Sequence, residues 1–325
     1  MRIFHKLLIL LLVIGLLPLL SLSLHDQRLT EDLGIELAAQ ARDSATRRMS
    51  DELHRIVALS ASVLHRTRLL VDLALRVQGR EAELRLAAPA QAPEERMPVW
   101  FAEQYDAGMA PPDTEASKAH LRYLPGAPDA AALAVSFDHQ VFLTAPGVDR
   151  EAVRDDIARL VPMTSIYRSL RETLPGLFLF QYTALASGLH SSYPGHGGYP
   201  QGYDPRRRAW YSLATAVGEP IWTPPLIDAS TRQLLFTAAA PVREPSGAIA
   251  GVTAVDVPIL SLLQRIRDEA QLPGNVESLL VQVQRNDRRG PALRVIAHRE
   301  YQASGRPWDA LLEPAWLLPE AGESH

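Results

Sequence analysis

LLFTAAAPVREPSGAIAGVTAVDV, residues 234–257, decides the fold class. Leu234–Pro241 and Ile249–Val257 read as strands, and Arg243–Ala248 (REPSGA) between them as a Gly-bearing turn, so the stretch predicts an antiparallel hairpin. Upstream, Leu177–Leu185 (LFLFQYTAL) reads as a buried strand. Leu133–Thr144 (LAVSFDHQVFLT) reads as a strand or hairpin around a polar Asp138–Gln140 centre. Asp149–Thr173 has a helical pattern, with Asp149 as a possible cap and Pro162 as a break. Ser187–Pro205 is dense in Gly, Pro and Tyr and reads as irregular. Arg206–Ala216 and Ile259–Glu269 read as short helices. Glu277–Gln284 and Leu293–His298 are strand-like. Together these elements predict an α+β fold, an antiparallel sheet with helices packed beside it.

The N-terminal quarter reads differently. Arg2, His5 and Lys6 precede an uncharged run from Leu7 to Leu24. The run is close to the ~20 apolar residues of a bilayer-spanning helix. The preceding charges place the N-terminus in the cytoplasm and everything after Leu24 outside. A cleaved signal peptide competes, with Ser21 and Ser23 near its cleavage point, but the run is longer than the usual apolar region of about 7–15 residues. From His25 to Gln78 the chain lacks Pro and is rich in strong helix formers, with Gly79 as a stop signal. Met49, Leu53, Ile56, Ser60, Val63, Thr67, Leu70, Ala74 and Val77 follow a 3-4 spacing. That stripe predicts a stalk helix about 80 Å long, packing on a core and pairing with the same helix of a second subunit. Residues 81–98, with AAPAQAPEERMP, read as a loop. No internal repeat is present.

Composition narrows the function classes. Among 325 residues the formal net charge is −4, which argues against nucleic-acid binding, the short Arg206–Arg208 run notwithstanding. Cysteine is absent, which excludes a disulfide scaffold, a thiol nucleophile, a Cys-ligated metal and a lipoprotein anchor. No G-x-S-x-G, H-E-x-x-H, phosphate-binding or dinucleotide-binding pattern occurs, so the chain is not expected to be an enzyme.

Tyr203-Asp-Pro-Arg-Arg-Arg-Ala-Trp210-Tyr211, Trp222-Thr-Pro-Pro225, Ala240-Pro-Val, Gly247 and Gly251-Val-Thr-Ala-Val-Asp256 occur in that order. This set resembles the extracytoplasmic double Cache sensor domain of bacterial receptors. Gly188–Pro200 also resembles the version fused to serine/threonine phosphatases. The resemblance implies PAS-like modules carried on the long helix. It divides the chain into a cytoplasmic tip and transmembrane helix (1–24), stalk and linker (25–97), a membrane-distal module (98–258) and a partial membrane-proximal module (259–325). It further implies a single-pass protein of the bacterial inner membrane with a periplasmic sensor. The resemblance implies a continuation into a second membrane helix and a cytoplasmic output domain, so this sequence is expected to be either a fragment of a longer receptor or an output-less relative.

Arg208 offers a planar fork of donors suited to a carboxylate. Trp210 and Tyr211 supply an aromatic wall, and Tyr203 a hydroxyl or a cation–π face. Asp256 ends a buried-looking strand, where a carboxylate needs a partner and a ligand ammonium is one. Together they predict a site for an amino acid, an amine or a small organic acid, with no cofactor. Amino-acid-binding Cache domains use the same residue types, but usually carry Tyr where Leu226 stands. The competing reading makes the motif a structural brace, with Arg208 paired to Asp256. His190 and His196 suggest a metal pair or, more simply, a surface loop; no third ligand stands nearby. The rival classes are a membrane-anchored structural protein that dimerises without a ligand, and an exported hydrolase.

Overall fold

The computed structural model describes residues 2–90, 98–123, 130–272, 280–286 and 290–297. The chain divides into two units, residues 1–60 and 61–325. The first unit is helical throughout its described length, as part of helix α1 (Arg2–Ala87). Met49, Leu53 and Val57 of this unit are exposed. Among the described residues no helix is long and apolar enough to cross a membrane. The Leu7–Leu24 expectation falls largely on side chains outside the described residues.

The second unit begins in α1 and continues with α2 (Ala102–Asp106), β1 (Glu115–Arg122), β2 (Ala131–Ser136) and β3 (Val141–Thr144). A 3-10 turn (Glu151–Val153) leads into α3 (Arg154–Leu160) and α4 (Met163–Thr173), which Pro162 separates as expected. Strands β4 (Gln181–Leu185), β5 (Leu189–Tyr193) and β6 (Gly195–His196) follow, then a 3-10 turn (Pro205–Arg207) and α5 (Ala209–Val217). The chain continues through β7 (Ile221–Trp222), β8 (Leu226–Ile227), β9 (Leu234–Arg243), β10 (Ile249–Pro258) and α6 (Ile259–Glu269). A hairpin, β11 (Leu280–Asn286) and β12 (Gly290–Ala297), ends the described chain. The remaining residues of Glu277–Gln284 and Leu293–His298 lie outside the described residues.

The main sheet has seven strands in the order β3-β5-β4-β10-β9-β7, with β8 also paired to β9. All its pairings are antiparallel. The β9–β10 pair is the hairpin expected from residues 234–257. A smaller sheet, β1-β2-β6, stands beside it. Period-two alternation gives the main sheet two distinct faces. On one, Val255 and Val257 of β10 and Ala238 and Ala240 of β9 pack on Val71, Ala74 and Leu75 of α1. On the other, Val252 and Ala254 of β10 pack with Trp210, Tyr211 and Ala214 of α5. Asp256 shares the second face by the same alternation.

Several expectations need correction. Helix α1 runs through Gly79 to Ala87, so the loop begins later than residue 81. Gly79 stands against the sheet, where a Cβ would meet the Thr253 methyl at 3.5 Å, an ordinary van der Waals contact. The buried line of α1 in this unit is Val63, Thr67, Val71, Ala74, Leu75, Gln78 and Ala82, while Leu70 and Val77 are exposed. The 3-4 stripe averages 3.5 residues per turn and drifts about 20° per heptad from a straight 3.6-residue helix. A helix lying on a sheet keeps the 3.6 line. Gln78 lies on that line, and its amide donates to Tyr182 O, Thr253 Oγ1 and Ala254 O. Leu133–Thr144 is neither one strand nor a hairpin: β2 and β3 belong to different sheets. The supposedly irregular Ser187–Pro205 contains β5, every residue of which is buried. Helix α6 packs Leu262 and Ile266 against Val63 and Phe236.

Candidate functional site

Asp204, Pro205 and Arg206 set the local geometry. The Asp204 carboxylate accepts from the Arg206 backbone at 3.0 Å and from its guanidinium at 2.9 and 3.0 Å. Pro205 is pre-set for the first position of the 3-10 turn. Arg206 is therefore tied within the loop. Arg208 caps α5 in an extended conformation (φ −83°, ψ 146°), between the two helical turns. Trp210 follows one residue inside α5 and packs edge-on against Tyr182, with ring centroids 4.9 Å apart.

Between α5, the second face of the sheet and the Leu226–Ser230 segment lies a cavity of about 230 Å³. That is below the about 300–1,000 Å³ of pockets for drug-sized ligands, and it has room for a smaller molecule. Tyr203, Arg208, Trp210 and Asp256 all line it. Arg208 has no ion pair among the described residues; its guanidinium stands 5.7 Å from the centre of the Tyr203 ring. The brace pairing of Arg208 with Asp256 does not occur. Tyr203 stays un-ionised, because burial raises its phenol.

Asp256 is 4% exposed. Tyr182 Oη donates to its Oδ1 at 2.8 Å and Thr237 Oγ1 to the same oxygen at 2.6 Å. Burial first, and the nearby Asp228 charge second, push the Asp256 carboxyl up to about 8. Without a cation beside it Asp256 is therefore neutral at pH 7, and both donors sit on one oxygen, leaving the other for the proton. A ligand ammonium would reverse this balance by stabilising the ionised form.

Tyr211 does not line the cavity. Successive helical residues point about 100° apart, so with Trp210 towards the cavity Tyr211 turns into the neighbouring core, where it is 8% exposed. Leu226 does line the cavity, at the place where the resemblance implies Tyr. Asp228 is a cavity residue that the sequence reading missed. Its Oδ2 accepts from Ser230 N, Thr231 N and Thr231 Oγ1. The signal was Asp228-Ala-Ser-Thr231, an acid whose side chain closes a turn on the next residues.

His190 and His196 are not on a surface loop: both are buried, in β5 and β6, and both line the cavity. Nor are they a free ligand pair. His196 Nδ1 lies 2.7 Å from the Gly197 carbonyl and Nε2 lies 3.0 Å from Tyr199 Oη, so both its nitrogens are engaged. Among the described residues no group of three or more His, Asp or Glu side chains is placed to hold a metal ion.

Residues 190–264 match the family described as "Methyl-accepting chemotaxis protein-like, first PDC sensor domain". The chain is 36% identical over 81 residues to the methyl-accepting chemotaxis protein PctB of Pseudomonas aeruginosa, covering 24% of this chain and 13% of that one. It is 35% identical over 98 residues to McpB of Bacillus subtilis, covering 27% and 14%. Among solved structures, the ligand-binding domain of PctB in complex with L-Arg matches at 25% identity and a TM-score of 0.33, covering 43% of this chain and 56% of that one. The ligand-binding domain of PctC in complex with GABA matches at 26% identity and a TM-score of 0.33, covering 44% and 58%. The chain thus spans well under a fifth of the length of the curated receptors it matches. The matched stretch 190–264 contains most of the motifs on which the resemblance to Cache sensor domains rests; the phosphatase-fused version is not part of this match.

Proposed function

We propose, from the family match at residues 190–264 and the small cavity there, that the chain is the extracytoplasmic sensing part of a membrane-anchored bacterial receptor. Its ligand is a small zwitterion, with a carboxylate at Arg208 and an amine at Asp256, walled by Trp210 and Tyr203. One observation carries this reading. Among the described residues, an arginine without an ion-pair partner and a buried acid without a counterion share one cavity and do not pair with each other. Asp228 adds negative charge at the same cavity and favours a cationic group there. The distal module is residues 98–258, with the proximal part from residue 259. Leu7–Leu24 supports anchoring with the N-terminus in the cytoplasm. The exposed Met49, Leu53 and Val57 support pairing of two copies through α1.

A thermal-shift comparison tests the ligand class. An α-amino acid, the amine left by its decarboxylation and the acid left by its deamination are each added to the purified chain. The amino acid is expected to stabilise most, by about 2.7 kcal/mol at 100 times its Kd. Equal stabilisation by the acid alone would remove Asp256 from the ligand contact. No shift with any amino acid would overturn the reading.

A further inference from the structure

Buried imidazoles at and behind the cavity differ in one respect. His120 Nε2 lies 2.9 Å from the Leu179 carbonyl, which can only accept, so Nε2 carries the proton and Nδ1 accepts from Ser117 Oγ at 2.7 Å. His196 holds the other tautomer, because the Gly197 carbonyl at 2.7 Å requires a proton on Nδ1. His190 has no such arrangement. It is 2% exposed and lines the cavity, yet its Nδ1 is buried without any hydrogen-bond partner. Buried polar groups are nearly always paired, and one that is not calls for an explanation.

The ring is held rather than loose. Pairing of Ala184 with His190 fixes the backbone and turns the side chain to the cavity face of the sheet. Tyr182, Tyr199, Tyr203 and Trp210 surround it, with ring centroids 5.5, 5.8, 5.7 and 6.3 Å away. Burial also keeps the ring uncharged. A neutral imidazole offers one donor and one acceptor. Nδ1 is closed off by its surroundings, so a ligand in the cavity meets the ring at Nε2, and because no protein group fixes which nitrogen carries the proton, Nε2 can meet it as donor or acceptor. An aliphatic side chain would leave both nitrogens unpaired. A carboxylate side chain would add a negative charge beside Asp228 and Asp256. A hydroxyl or carboxamide both donates and accepts without charge.

We propose that His190 hydrogen-bonds the side chain of the bound amino acid, and so selects hydroxyl- and carboxamide-bearing amino acids over aliphatic ones of the same shape. This rests on the zwitterion reading of the cavity.

Calorimetric titration of the purified full chain with two isosteric pairs, L-threonine against L-valine and L-asparagine against L-leucine, tests it. The parent is expected to prefer the polar member of a pair by about 3- to 10-fold. His190→Phe should erase that preference and His190→Gln should keep it. The ring 15N resonances of His190 in the parent should move with threonine and not with valine, a readout that does not depend on a variant folding. Binding without discrimination in the parent, or discrimination surviving in folded His190→Phe, overturns the proposal and leaves the zwitterion reading standing. Failure of all four amino acids to bind overturns this proposal, and the zwitterion reading falls with it only if no other α-amino acid binds.

Discussion

Acidifying the purified, ligand-free chain from pH 6.5 towards pH 4 is expected to unfold it. His120, His190 and His196 are buried, and burial lowers them from 6.5 to about 4, 3 and 4. Below pH 6.5 the unfolded chain takes up protons at all three, while the folded chain does not. Their contribution is therefore complete above pH 6.5 and is lost as pH falls. Asp256 acts in the opposite sense: raised from 3.8 to about 8, it binds a proton in the folded chain that the unfolded chain releases. Its contribution is full below pH 3.8 and is lost as pH rises through 8. Between pH 4 and 6.5 the unfolded chain thus holds about two more protons, a slope of about 3 kcal/mol per pH unit. Over that window the loss is comparable with a typical total stability of about 5–15 kcal/mol. Between pH 6.5 and 8 only Asp256 acts, so stability peaks near pH 6.5. Urea midpoints followed by circular dichroism at pH 8, 6.5 and 5 should be highest at 6.5 and lowest at 5. A midpoint at pH 5 equal to that at 6.5 would mean that the imidazoles are not buried as described.

Gly251→Ala is expected to destabilise the chain by about 3 kcal/mol, at the upper end of overpacking substitutions. Gly251 sits in β10 opposite Leu185 of β4. An added Cβ would lie 2.2 Å from the Ala184 carbonyl oxygen and 2.9 Å from Leu185 Cα. Both obstacles are backbone, so relief requires the two central strands to part, and the β4–β10 ladder carries both Tyr182 and Asp256. Gly34→Ala is the control: nothing lies within 4 Å of its Cβ position, and Ala is favoured in a helix by about 1 kcal/mol. A urea midpoint of Gly251→Ala within experimental error of the parent would show that β4 and β10 are not packed this closely.

The hairpin at residues 234–257 and helix α6 were legible because alternation, a Gly-Pro turn and a helical period are local signals. The assignment of β2 and β3 to different sheets was not, because which sheet a short strand joins depends on distant partners. Strand β5 was hidden for a related reason. Leu189-His-Ser-Ser-Tyr193 is fully buried yet mostly polar, and the Ser191 hydroxyl finds its partners, Tyr167 and Thr183, on other elements. At the site, Arg208, Trp210 and Asp256 could be picked out because an arginine, a flat aromatic and a strand-end acid are unusual together. Tyr211 shared their motif but not their direction, which only the phase of α5 decides. His190 looked like a loop residue because its Gly- and Pro-rich neighbours suggested exposure.

One ligand is expected to span Arg208 and Asp256. Calorimetric titration of the parent and of Arg208→Ala, each with the best-binding α-amino acid and with its decarboxylated amine, tests it most directly. Loss of charge-assisted hydrogen bonds to the carboxylate, about 1.5–3 kcal/mol, should weaken amino-acid binding about 10- to 150-fold. The amine, which has no carboxylate for Arg208 to hold, should bind both proteins alike. Unchanged amino-acid affinity in an Arg208→Ala protein that circular dichroism shows to be folded would contradict the account.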